Sequence, residues 1–256
     1  MCIRDSNNYS LEVVQRIGYD SFTPDSGVLI AKNKDRQTNS CGYGCHAWVI
    51  DAHPEDINRI DFIKPGGEKV MRTIADYRQL NDALFHAGLR SGSQFEWRDD
   101  ANRLHFYVVE RRVDAGGRLW YTLGIRSLDG AGAQARGVAA QAPPAATANA
   151  SSSVPAFSIT VTNRGVLAAS PSGGHLRAPD SVFERDIYRV SVAVEGAGWQ
   201  ADVQNALVSI RVGQSVPVPV FVRRASGNLA SAKVTVTVTS ESDPSKRASS
   251  STTVSR

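Results

Sequence analysis

Lys233-Val234-Thr235-Val236-Thr237-Val238-Thr239-Ser240 decides the fold of the second half of this chain. Both alternating residue types are β-branched and stiff at χ1, which disfavours helix and suits a pleated surface. A period of two puts Val234, Val236 and Val238 on one face and Thr235, Thr237 and Thr239 on the other. That is the pattern of an antiparallel strand with one face buried. The same alternation recurs from Phe157 to Thr162, Ile187 to Val194, Ala206 to Val212 and Val216 to Arg223. Pro217 and Pro219 each remove a ladder donor, so their strand is expected at a sheet edge. The closing Thr252-Thr253-Val254 reads as a strand cut short, so the chain is expected to be incomplete at this end.

Short strands with regular turns over residues 157–256 predict an immunoglobulin-like β-sandwich, here with no cysteine to pin its sheets. The run before it, from Gly130 to Pro155, is almost all Ala, Gly, Pro, Ser and Gln. So little apolar surface does not offset the entropy of ordering a backbone, and residues 130–156 are expected to be a mobile linker. Residues 7–129 read as a β-rich, sandwich-like α+β module. Its strands are expected at Ser10 to Ile17, Val28 to Lys32, His46 to Asp51, Arg59 to Ile63, Gln94 to Arg98, Leu104 to Arg111 and Leu119 to Ser127. Asp114-Ala115-Gly116-Gly117 predicts a hairpin between the last two. One helix is expected from Asp76 to Ala87, capped by Asp76 and ended by Gly88, with Leu80 and Leu84 at i, i+4. The fold class expected is therefore mainly β: this module with its one helix, then the sandwich.

The 256 residues are 41% hydrophobic and 21% charged, ordinary for a globular protein. The longest apolar runs, such as Ala47 to Ile50 and Val216 to Val222, fall far short of the roughly 20 residues that span a bilayer, so no membrane insertion is expected. The net charge of +4 is scattered singly apart from Arg223-Arg224. No basic block with interleaved aromatics is present, so no nucleic-acid partner is expected. Met1-Cys2-Ile3-Arg4-Asp5-Ser6 reads as a non-native leader, like a translated sequencing-adaptor remnant, so the chain is expected to be truncated at its start as well.

The five histidines, His46, His53, His86, His105 and His175, are followed by Ala, Pro, Ala, Phe and Leu. No H-E-x-x-H zinc motif exists, nor a G-x-S-x-G elbow or a Walker loop, so no catalytic residue is assigned. Cys41-Gly42-Tyr43-Gly44-Cys45-His46 admits three readings. The glycines permit the sharp turn a Cys41–Cys45 disulfide needs, which is the favoured one; free thiols, or a metal on Cys41, Cys45, His46 and His53, are the others. Asp51, Glu55 and Asp56 in one loop, and Asp99 and Asp100 in another, are weak calcium candidates, and turns capped by Asp side chains explain them equally well. His105, inside an apolar strand, reads as a hydrogen-bonded core or interface residue. Phe95, Trp97, Phe106, Tyr107, Trp120 and Tyr121 read as core, with a sugar-stacking platform as the functional alternative.

Tyr9-Ser10-Leu11-Glu12-Val13, Arg16-Ile17-Gly18-Tyr19-Asp20 and Ser26-Gly27-Val28-Leu29-Ile30 resemble the segment after the catalytic core of immune-inhibitor-A-like secreted bacterial zinc metalloproteases. The family pattern has an arginine where this chain has Val14. Trp48 to Asp56, Leu80 to Gly88 and Asn102 to Tyr107 resemble the β-module that follows. Gly198-Trp199 and Ser240-Glu241-Ser242-Asp243-Pro244-Ser245 resemble an Ig-like domain appended to secreted hydrolases. The resemblance implies a secreted, non-catalytic accessory region whose zinc and proteolysis belong to an upstream catalytic domain, its partner within the same parent protein. Protein or polysaccharide substrates are the implied further partners. A free-standing extracellular binding or adhesion protein is the alternative.

Overall fold

The computed structural model describes residues 2–3, 7–22, 26–34, 47–54, 62–63, 69–70, 83–149, 153–167, 183–224 and 229–256. The protein is mainly β, as expected, and divides into two compact units, Met1–Arg126 and Ser127–Arg256.

In the first unit β1 (Cys2–Ile3), β2 (Asn7–Val14), β3 (Gly27–Lys34) and β4 (Ala47–Ile50) form an antiparallel sheet in that order. Residues 2–3, expected to be a non-native leader, thus pair with Asn8 and Asn7. β5 (Phe62–Ile63) pairs with β6 (Lys69–Val70), and β7 (Glu96–Asp99), β8 (Leu104–Val113) and β9 (Leu119–Ser127) form a third sheet. Tyr9, Val28 and Ile30 from the first sheet share a core with Leu104, Phe106 and Val108 from the third. The hairpin expected at Asp114–Gly117 is present, with Gly117 at φ +79°.

The expected helix is corrected where it can be seen. Residues 76–82 lie outside the described residues, and 83–87 are not helical. Phe85 exchanges two backbone hydrogen bonds of 2.9 Å with Val28, an antiparallel bridge onto β3. Leu84 and Phe85 are both fully buried although adjacent, a burial pattern that an i, i+4 reading of Leu80 and Leu84 does not anticipate. Gly88 is left-handed, as expected, but it opens a loop in which Ser91 N–H donates to its carbonyl.

In the second unit two sheets face each other. One runs β10 (Val138–Gln141), β12 (Phe157–Asn163), β16 (Ser215–Arg224), β14 (Trp199–Val203). The other runs β11 (Ala145–Thr147), β18 (Arg247–Ser255), β17 (Ser231–Ser240), β13 (Arg185–Glu195), β15 (Leu207–Arg211). Val234, Val236 and Val238 are fully buried and meet Ile159, Val161 and Val220 of the opposite sheet in one core. The Thr face of β17 is partly exposed, and Thr235 and Thr237 hydrogen-bond Ser251 and Ser249 of β18.

Two expectations about this unit are overturned. The supposed linker carries β10 and β11, paired respectively with β12 and, in parallel, with β18. Its prolines mark the place where the chain changes sheets: the carbonyls of Pro143 and Pro144 accept from Thr252 Oγ1 and Thr253 N–H. Ala140, Ala142, Ala146 and Ala148 pack against the core, so small side chains let this segment close the sandwich while its backbone bonds secure it. The strand with Pro217 and Pro219 is interior, between β12 and β14. Ala156 N–H donates to the Val220 carbonyl, so the even residues of β16 carry the ladder to β12. The prolines therefore point to the other side, where β14 reaches only as far as Val220. The edge is local to the prolines, and no donor is lost.

Candidate functional site

Asp99 gathers the polar groups of the first unit. The residue is 7% exposed, and its carboxylate accepts from Tyr9 OH at 2.5 Å, Lys32 Nζ at 3.0 Å and the Asn102 side-chain amide at 2.8 Å. The Asn102 backbone N–H completes the set at 3.2 Å. Burial alone would raise its pKa, but the bonds from Tyr9, Asn102 and Lys32 together hold it at about 2. Burial first, and then the carboxylate, push the Tyr9 phenol up. Tyr9 also packs on Phe106 with ring centroids 4.9 Å apart, and Trp97 stacks on Phe106 at 5.2 Å. Three strands far apart in sequence, β2, β3 and β7, are tied at one atom group.

A cleft of about 390 Å³ lies between the 51–54 turn and the 88–96 segment, lined by Ala52, His53, Leu89, Ser93, Phe95 and Glu96 among others. Asp51 Oδ1 accepts the His53 backbone N–H at 2.8 Å, and the His53 ring bonds the Gly92 carbonyl at 2.8 Å. Ser93 Oγ donates to the Leu84 carbonyl at 2.6 Å. From Glu96 a hydrogen-bonded line runs along the third sheet. His105 Nε2 lies 3.1 Å from Glu96 Oε2, and His105 Nδ1 lies 2.8 Å from Tyr107 OH. Arg126 Nε donates to that same hydroxyl oxygen at 2.9 Å. A neutral ring with its proton on Nε2 satisfies every member: Arg126 to Tyr107, Tyr107 to His105, His105 to Glu96.

The second unit has a comparable hub. Asp186 is buried and accepts from Ser240 Oγ at 2.6 Å, Ser242 Oγ at 2.7 Å and its neighbour's backbone, Ile187 N–H, at 2.9 Å. Arg136 stands 3.7 Å from the same carboxylate. Asp243 in turn accepts from Ser245 Oγ and Ser245 N–H, and the Ser245 hydroxyl chiefly holds its carboxyl below the usual range. The Ser240–Ser245 run is therefore the turn between β17 and β18, fastened to β13 by Asp186.

Of the residues singled out in the sequence, Asp51 caps its turn, Asp99 is the buried hub and Asp100 pairs with Arg98 at 2.6 Å. These are the capping and structural roles that were the alternative to calcium. Glu55, Asp56, Cys41, Cys45, His46 and His175 lie outside the described residues. His105 is hydrogen-bonded, as expected, and of the six aromatics Trp120 alone is exposed. The sequence reading missed Tyr9, Lys32 and Asn102 as partners of Asp99. Asp186 was missed too, although a signal exists: it shares strand parity with Tyr188 and Val190, so an acid falls on the apolar face of β13.

Residues 2–128 match the model of a family described as a middle domain, and residues 137–256 match that of a Peptidase M6-like domain. A protein of the fungus Arthroderma benhamiae named "Putative secreted metallopeptidase" is 41% identical over 257 residues. The chain is related to secreted metallopeptidases. The alignment takes in 97% of this chain and 36% of the fungal protein, so the chain spans about a third of that relative's length. The likeness read from the sequence holds at this level; it pointed to bacterial enzymes, and the relative is fungal. The M6-like match begins at residue 137, directly before β10, which places the former linker inside the domain.

Catalytic zinc in a metallopeptidase of the H-E-x-x-H type needs two histidines one helical turn apart with a glutamate between them. This chain has no such pair, and the rings of His53 and His105 bond the groups already described. Its residues do not fit that ion, and no catalytic step is derived through it.

Proposed function

We propose that this chain is a non-catalytic accessory region of a secreted metallopeptidase, with two β-units that position and attach a catalytic domain encoded elsewhere in the parent protein. What carries the reading is the pairing of a metallopeptidase relationship with a sequence free of H-E-x-x-H. The carboxylates drawn into the two units support it as well, since Asp99 and Asp186 are engaged by donors of their own fold. Secretion follows from the relative's printed name, and none of the described helices is long and apolar enough to cross a membrane. The partners in this reading are the catalytic domain of the same parent and a protein or polysaccharide surface.

The test is a casein-cleavage assay on the purified 256-residue chain, with and without added zinc. No cleavage above background is expected in either condition. Cleavage that a chelator abolishes and zinc restores overturns the proposal.

A further inference from the structure

The β8–β9 hairpin leaves a large aromatic ring in solvent and holds it fixed. Trp120 is 52% exposed, next to an equally exposed Val113. Its indole N–H donates to Asp114 Oδ2 at 3.1 Å, and the Arg112 guanidinium stands 5.6 Å from the ring centroid. The other Asp114 oxygen accepts the Gly116 and Arg118 backbone N–H groups at 2.8 and 2.9 Å. The Arg118 amide, then the indole, hold the Asp114 carboxyl below its usual range, so it stays ionised. Gln15 clamps the same turn from β2's end: its amide donates to the Gly117 carbonyl at 2.7 Å and accepts Leu119 N–H at 3.0 Å. Turn, ring and guanidinium are thus ordered together at the surface, and that order brings the ring little burial of its own.

We propose that this hairpin face binds an acidic polysaccharide, with Trp120 stacking on a sugar ring and Arg112 pairing with a uronate carboxylate. The polarised C–H groups of a pyranose face match the negative face of an indole. A guanidinium stacked on an aromatic ring keeps its N–H edge free to form a planar fork, which suits a carboxylate. Charge complementarity selects the acidic ligand. The hairpin's charged residues are Glu110, Arg111, Arg112, Asp114 and Arg118, and the Asp114 carboxylate is already occupied by three N–H donors. The surface offered to a ligand is therefore cationic around an aromatic centre. The inference names a surface and a ligand class for the attachment role proposed above and rests on that reading for its use in the parent protein.

The test is titration of the full chain with oligogalacturonate, read by tryptophan fluorescence and calorimetry, beside a neutral glucan and poly-L-glutamate. Saturable binding of oligogalacturonate that weakens with salt is expected, with about a tenfold loss in Trp120→Ala and again in Arg112→Gln, a loss equivalent to roughly 1.4 kcal/mol. Both substitutions are at exposed positions, and circular dichroism checks that each variant is folded. Equal binding of the neutral glucan removes the role of Arg112, and equal binding of poly-L-glutamate assigns the face to acidic protein; either result overturns the proposal. So does undiminished binding by Trp120→Ala, or no binding at all. None of these outcomes alters the casein result, so failure here and failure of the accessory-region reading stay distinct.

Discussion

Asp99→Asn removes the charge at the hub of the first unit while keeping the side chain's size. The amide still offers one oxygen to Tyr9 and Asn102, but its NH2 group faces Lys32, whose side chain is 24% exposed. Stranding one partner of a fully buried ion pair costs about 3–5 kcal/mol. Partial solvation of Lys32 reduces this to about 2–3 kcal/mol. Proton linkage gives a second route to the number. The folded-state pKa near 2 lies below the unfolded value of about 3.9, a difference worth about 2.5 kcal/mol. Because the folded pKa is the lower one, this stability is complete above about pH 5 and is lost as pH falls through 4 toward 2. Urea unfolding, followed by hydrogen exchange of the peptide containing Leu104–Val109, measures both variants in this unit's core. The wild type is expected to be more stable by about 2–3 kcal/mol at pH 7, with most of the gap closed at pH 2. A gap below about 0.5 kcal/mol at pH 7, or one that does not change with pH, refutes the assignment of Asp99 as an ionised hub.

Two further outcomes follow from packing. A Cβ on Gly27 would lie 2.8 Å from Leu84 Cβ and 3.0 Å from the Phe85 carbonyl, so Gly27→Ala is expected to destabilise the first unit by about 1–3 kcal/mol, read by the same exchange experiment. Elastase, which cuts after small residues, is expected to leave Val138–Ala148 intact under conditions that preserve the sandwich, since these alanines sit in paired strands; early cleavage there would restore the mobile tether.

The strands of the second unit were legible because a single face is buried, so the period-2 signal in Val234–Thr239 maps directly onto burial. Sheet membership was not legible to the same degree. An alanine-rich segment has no alternation to read, and β10 and β11 are identified only by the backbone partners they find across the chain. The proline rule failed for a related reason: a strand can be interior over one part of its length and an edge over another, which depends on how far β14 extends. In the first unit Leu80 and Leu84 offered a helical spacing, while the bridge from Phe85 to Val28 depends on a strand more than 50 residues away. Asp99 was singled out as an acid in a loop, but its three side-chain partners come from positions that no local motif links.

The two hubs bear on function through the constraint they place on the fold. A buried carboxylate is costly unless nearly every acceptor position is filled, and each hub fills them from separate strands. Asp99 draws donors from β2, β3 and the turn after β7; Asp186 draws them from the β17–β18 turn and from Arg136, just ahead of β10. A shift of any one strand would strand a charge, so each hub penalises altered register by more than an apolar contact would. That is how a rigid support is built, and it differs from a catalytic acid, which must be free to exchange a proton near the working pH. With a pKa of about 2, Asp99 holds no proton to give at neutral pH, and its lone pairs are directed at fixed donors. The acids most deeply placed in this chain are therefore committed to holding strands in place, which is what an accessory region needs in order to present a fixed surface such as the Trp120 hairpin.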